Sequence, residues 1–233
     1  MNDKNQKRGG MYFNNGQPYL SVTTILQIIS KPQIVYWFGR EVFRAMVVNP
    51  SLDERAALAA PYATSGKAKE RGTTVHSIVE AFKNTGETID TIPDEYRKYA
   101  LAFYQFMKDH KVEIIEQEKT IYDEENKIAG TLDMYVKIGS KLMIVDAKTG
   151  KDLYDEVKLQ NSAYAHMMRA SGKQVDEIAA LLLETGVDGL PTGKYKFATL
   201  EEDFDAFKAC KDLYVWKNKE SLLKTGYLKH ELA

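Results

Sequence analysis

The chain has 233 residues, 44% of them hydrophobic and 28% charged, with a formal net charge of −1. That length supports one full core rather than two large domains, and the composition is that of a globular chain, neither disordered nor fibrous. A charge near zero gives no general affinity for nucleic acid, a single cysteine excludes an intrachain disulfide and suits a reducing cytoplasm, and no run is long enough to span a membrane.

In chain order, residues 1–10 are polar, lack the apolar stretch of a signal peptide and read as a flexible tail. Residues 11–60 read as an N-terminal helical lobe. Ser21 can cap a helix over residues 22–29, Pro32 can open another through about Val48, Asn49-Pro50 breaks it, and residues 52–59 again favour helix. Residues 61–233 form the main body, in one structural unit with the lobe. A long helix is predicted from near Ser65 to Phe82 and another from Pro93 to Asp109, with Tyr96, Tyr99, Phe103 and Phe106 as a core-facing stripe. A strand over Glu113–Tyr122, a hairpin, a helix over Tyr154–Ala170, strands at Glu177–Glu184 and Lys194–Thr199 and a helix over Glu201–Lys217 complete the series. The order predicts an α/β fold with a mixed central β-sheet flanked by helices.

The hairpin carries the chemistry. Lys127–Ile138 and Lys141–Lys148 are β-rich runs joined by Gly139-Ser140, a pair suited to a type II′ turn. Pairing Ile138 with Lys141 sets Val136 against Met143, Met134 against Val145 and Leu132 against Ala147, an apolar face. On the other face Asp133 falls opposite Asp146, and Thr131 opposite Lys148. Directly opposed side chains have Cβ atoms ~4.5–5.5 Å apart. Two carboxylates so close repel each other unless one is protonated or a cation lies between them, and hard divalent cations prefer such oxygen ligands. Asp146 and Lys148 share a face because strand side chains alternate. The ordinary alternative for Asp-x-Lys alone is a solvated ion pair; the opposed Asp133 argues against it.

In the helix before these strands, His76 and Glu80 lie four residues apart on one face, following Lys67, Lys69 and Arg71. His110, His166 and His230 have no such company and read as structural or exposed. A second basic group, Lys208, Lys211, Lys217 and Lys219, reads as a solvated helix face.

The series Gly-x-x-x-His76-x-x-x-Glu80, Gly130-x-x-Asp133, Asp146-x-Lys148-Thr149-Gly150 and Gln160-x-x-x-Tyr164 resembles the RecB-like branch of the PD-(D/E)XK nuclease superfamily, which includes CRISPR-associated RecB-like nucleases, the mitochondrial genome maintenance exonuclease and many phage exonucleases. The resemblance implies a restriction-endonuclease-like core. It implies Mg²⁺ or Mn²⁺ bound by His76, Asp133, Asp146 and the Ala147 carbonyl, with Glu80 in support and Lys148 as the catalytic lysine. Gln160 and Tyr164 would contact DNA or steady the site, and Thr149 and Arg71 would meet the substrate. Some relatives carry four cysteines for an iron–sulfur cluster; with Cys210 alone this chain has no ligand set for one. The implied activity is a metal-dependent deoxyribonuclease, an exonuclease processing DNA that is single-stranded or has a free end, beside recombination or replication proteins in the cytoplasm of a bacterium or phage-infected cell. A structure-selective endonuclease, a non-catalytic nucleic-acid-binding protein and a structural metal domain are the alternatives. The joint presence of Asp133, Asp146 and Lys148 argues for catalysis.

Overall fold

The computed structural model describes residues 9–66, 72, 75, 92–186 and 189–228. In chain order the elements are β1 (Met11–Asn14), β2 (Gln17–Ser21), α1 (Val22–Ile25), α2 (Pro32–Val48), α3 (residues 54–66), α4 (Asp94–Asp109), β3 (Glu113–Asp123), β4 (Ile128–Ile138), β5 (Lys141–Gly150), α5 (Asp155–Ala170), β6 (Glu177–Thr185), β7 (Pro191–Leu200), α6 (Phe204–Lys217) and α7 (Lys219–Lys224). The strands form one mixed sheet in the order β1-β2-β4-β5-β6-β7, with β3 also paired to β4. Helices cover both faces, in the α/β class expected.

The β4–β5 hairpin keeps the register read from the sequence, from Ile138↔Lys141 to Met134↔Val145. Gly139 has φ +61°, the left-handed conformation that the first position of a type II′ turn demands. On one face Met134, Val136, Met143, Val145 and Ala147 pack against Tyr99, Phe103 and Phe106 of α4. Leu132 is buried too, but in the cluster on the other side, with Ile121 and Ile128. That second cluster joins Tyr135, Ile144 and Ile178 to Ala163 and Met167 of α5 and Phe207 of α6. Strands β5 and β6 run parallel, connected through α5, and β6 is an apolar run buried on both faces. Buried Asn161 pins α5 to the sheet by donating to the Ala179 carbonyl at 3.0 Å. His110 sits among Phe106, Tyr195 and Phe197, and His166 stacks on Phe204, both in structural surroundings.

The chain start differs from the sequence reading. Residues 11–21 are not helical; they form the β1–β2 hairpin, and β2 pairs in parallel with β4 through Leu20↔Ile128 and Ser21↔Ala129. The turn is Asn15-Gly16, with φ +48° and +79°, the pattern of a type I′ hairpin. Helical structure begins only at Val22. α2 has no buried residue: Tyr36 is exposed, Trp37 and Phe38 are half-buried, and Phe38 meets Tyr62 of α3 edge to face at 5.4 Å. The predicted helix from near Ser65 to Phe82 falls largely outside the described residues. Of it, Gly72 and Val75 are helical, and Val75 packs beneath α4.

The partners of β4 leave a gap. One edge is lined by β3 along nearly its whole length, from Asp123↔Ile128 to Glu113↔Lys137. The opposite edge is shared: β5 takes Met134–Ile138 and β2 takes Ile128–Ala129. Between them, residues 130–133 have no backbone partner strand on that side among the described residues. The expected Thr131–Lys148 neighbourhood is therefore absent. Thr131 instead bonds the hydroxyls of Tyr12 and Thr120, while Lys148 continues the β5–β6 ladder opposite Leu182.

Candidate active site

Asp133 stands at the edge of this gap. Its Oδ2 accepts the Ala147 amide at 2.8 Å, so a side-chain carboxylate replaces the carbonyl that an unbroken ladder would offer. Asp146, across the gap, is 1% exposed. Its Oδ1 accepts the Gln160 side-chain amide at 2.7 Å. Its Oδ2 lies 2.7 Å from Lys148 Nζ, an ion pair lacking the alignment of a hydrogen bond, and among the described residues this buried oxygen has no other polar partner. A buried carboxylate oxygen without a directed donor is costly unless a cation meets it.

Lys148 is partly open to solvent, its side chain 34% exposed. Burial disfavours its charge, but the Asp146 and Asp133 carboxylates outweigh that effect, with a smaller push from Glu118, and hold the ammonium above its ordinary value. Lys148 thus stays protonated through neutral and mildly alkaline pH.

From α5, Gln160 and Tyr164 support the site from beneath. Tyr164 is 2% exposed, so it steadies the floor and offers no surface to a substrate. Burial pushes its phenol well above the usual tyrosine range, and the Asp146 and Asp133 carboxylates push the same way, against a smaller downward pull from Gln160. Gly130 explains the first position of its motif: a Cβ there would come 2.5 Å from Tyr164 Cε1. The glycine lets the tyrosine ring lie close against β4.

The structure therefore brings together Asp133, Asp146, Ala147, Lys148, Gln160 and Tyr164. Thr149 lies beyond Lys148 on the wall of a cavity of about 230 Å³. His76, Glu80 and Arg71 lie outside the described residues. Among the described residues no group of three or more His, Cys, Asp or Glu is placed to hold a metal ion. The described donors for a divalent cation are thus the two aspartates. Their oxygen chemistry fits such an ion, as does Asp146 Oδ2, which has a cation beside it but no directed donor among the described residues, with further ligands to come from elsewhere.

Sequence reasoning missed Glu118. It lies on β3 between Gln117, paired to Met134, and Lys119, paired to Leu132, which brings it level with Asp133. Its φ of +45° is a left-handed conformation uncommon for a side-chain-bearing residue and is a form of strain that collects at functional sites. The available signal was the polar run Glu116-Gln117-Glu118-Lys119, which interrupts the strand's apolar alternation.

No protein-family model matches the chain, and no curated protein matches its sequence. Among solved structures it is similar to the alkaline exonuclease LHK-Exo from Laribacter hongkongensis. The match to that protein in complex with dAMP has 13% identity, covers 91% of this chain and 92% of that one, and has a TM-score of 0.42. It is also similar to a phage-related exonuclease from Haemophilus somnus 129PT, at 13% identity over 64% of this chain and 82% of that one, TM-score 0.32. The protein SSO0001 matches at 12% identity over 94% of this chain and 79% of that one, TM-score 0.39. The neighbours include exonucleases, at distances where the chemistry of this chain rests on its own residues.

Proposed function

We propose that this protein is a metal-dependent deoxyribonuclease that hydrolyses phosphodiester bonds at DNA ends. The observation that carries the reading is the gap in the sheet: two aspartates and a protonated lysine meet where β4 leaves β5, and one buried carboxylate oxygen there is met, among the described residues, by an ion-paired lysine alone. A charged group of this kind, set into a core strand, is a poor way to stabilise a fold and a good way to build a site.

Asp133 and Asp146 would hold Mg²⁺ or Mn²⁺, joined by His76 and the Ala147 carbonyl as the motif resemblance implies, with Glu80 in support. When bound, such an ion supplies an activated water and polarises the phosphoryl group. The chain's own groups do the rest. The Ala147 amide fixes the Asp133 carboxylate, and the Gln160 amide fixes Asp146, so both acids are preorganised by neutral N–H donors. Lys148, partly open to solvent and protonated, meets the negative charge that grows on the non-bridging phosphate oxygens as water attacks in line and the leaving oxygen departs. Tyr164, buried and neutral, keeps the floor rigid and dry.

The test is degradation of end-labelled single-stranded DNA, linear beside circular, with Mg²⁺ or Mn²⁺ and with EDTA. Linear DNA is expected to be degraded only with metal, and the closed circle to survive. Undiminished cleavage in EDTA would overturn the metal; equal loss of circle and linear strand would replace the exonuclease with an endonuclease.

A further inference from the structure

A cavity of about 230 Å³ opens beside the site, with Lys148, Thr149 and Gln160 on one side and Tyr154, Glu156 and Lys31 on the other. Lys31 comes from the start of α2, and the others from the end of β5 and from the loop into α5 and its first two turns. Anything held here is a neighbour of whatever group sits at Lys148.

Charge decides what fits. Lys31 Nζ is paired to Glu156 Oε1 at 2.7 Å, and Lys148 Nζ to Asp146 Oδ2 at 2.7 Å. On the wall itself the two cations, Lys31 and Lys148, are balanced by the two carboxylates of Glu156 and Asp152. The cavity interior therefore does not attract a second phosphate; it suits an uncharged group. Its remaining walls, Leu153 and Val157, are apolar, and Tyr154, just ahead of α5, is 53% exposed, in contrast to buried Tyr164 within that helix. An aromatic ring left open in a neutral recess is a surface on which a nucleobase stacks, since every base offers a π-face. Size adds a limit. Pockets for drug-sized ligands begin near ~300 Å³, so this cavity has room for one nucleoside and not for two.

We propose that this cavity is a subsite for a single nucleoside, the terminal one of a DNA strand, with its base stacked on Tyr154, its sugar near the Thr149 hydroxyl and its phosphate at Lys148. It deepens the nuclease reading and rests on that reading only for the identity of the group at Lys148. Recognition through stacking is tolerant of sequence, so all four bases are accepted.

The experiment measures binding without cleavage. Fluorescence anisotropy in EDTA compares a short single-stranded oligonucleotide with versions carrying an abasic residue at the 5′ or the 3′ terminus. For the wild-type protein one of the two abasic ends binds about tenfold more weakly, which also gives the polarity. Tyr154→Ala weakens the intact strand by the same factor and removes the difference between intact and abasic ends, whereas Tyr154→Phe retains both. Because Tyr154 is exposed, these variants fold, as circular dichroism can verify. Wild-type protein that does not distinguish the abasic strands, or a preference that survives Tyr154→Ala, overturns the subsite. Absence of cleavage by the wild type in Mg²⁺ or Mn²⁺ with the Tyr154-dependent preference intact overturns the nuclease and leaves the subsite standing.

Discussion

The two halves of the β4 edge that faces β5 have the same strand, the same register and opposite fates. Toward the turn, Met134–Ile138 pair residue by residue with β5. Past Met134 the same register would bring Asp133 opposite Asp146, yet the pairing stops and β2 takes over only at Ala129. Side chains account for the difference. In the closed half both faces are apolar, Met134 and Val136 on one and Tyr135 and Ile144 on the other, and nothing competes with the backbone. In the open half a carboxylate takes the Ala147 amide. A charge-assisted hydrogen bond is stronger than the neutral one it replaces, so the sheet opens there without orphaning that donor. A site can thus be carved into a sheet by exchanging the partners of one strand edge.

The sharpest way to break this comparison is to alter one half and leave the other. Asp146→Asn keeps an oxygen for the Gln160 amide and should leave the fold intact while abolishing cleavage and weakening the Mn²⁺ isotherm. Lys148→Ala should lower the rate by ~10²-fold or more with Mn²⁺ binding retained. If Asp146→Asn turned over DNA at the wild-type rate, the gap would be an accident of the sheet. In the closed half the pattern inverts. Met143→Ala removes buried volume and should cost ~2–5 kcal/mol of stability by urea denaturation, with unchanged cleavage per folded molecule. A large loss of specific activity there would mean that the two halves are not separable.

Gly130→Ala probes the floor of the gap. The new methyl meets the Tyr164 ring, which is buried and cannot swing away, so a loss of ~1–3 kcal/mol is expected. In a Tyr164→Ala background the same change should cost almost nothing, since the clashing atom is gone. Additive costs in that double-mutant cycle would show that the glycine serves something other than the ring.

The smallest effect belongs to the far end, where β2 closes the edge. Tyr19 donates to Glu124 at 2.6 Å. Burial, then that bond and the Glu124 charge, raise its phenol from 10.0 to about 12. A folded-state value above the unfolded one means that neutral Tyr19 contributes its full stability below about pH 10 and loses it as pH rises through about 12. Stability should therefore fall across that window, and less steeply in Tyr19→Phe. Parallel slopes for the two proteins would show that Tyr19 does not govern closure in alkali.

The hairpin was legible because its signals are local. Gly139-Ser140 sets the turn, alternation sets the faces, and both fix which side the acids occupy. The Asn15-Gly16 hairpin was equally local, but the apolar run from Leu20 to Leu26 reads at helical spacing and drew the first strands into a predicted lobe. What could not be read was the gap itself. Nothing in the order of residues says that β2, more than a hundred residues away, will claim the end of β4 that β5 leaves. Glu118 was hidden for the same reason, since its place beside the site follows from where β3 pairs. Tyr164 was singled out from the motif spacing, but its burial against Gly130 is a contact between distant positions that the order of residues does not announce.

The bond from the Ala147 amide to Asp133 makes that one backbone proton a built-in reporter. Most amides in β5 are tied to carbonyls and exchange with solvent only when the strand opens. This one is tied to the Asp133 carboxylate, which faces the gap and would feel a cation placed there. Its exchange rate and chemical shift, read by nuclear magnetic resonance, should follow the Asp133 carboxylate directly, so that occupancy of the gap is visible at a single site without any assay of cleavage.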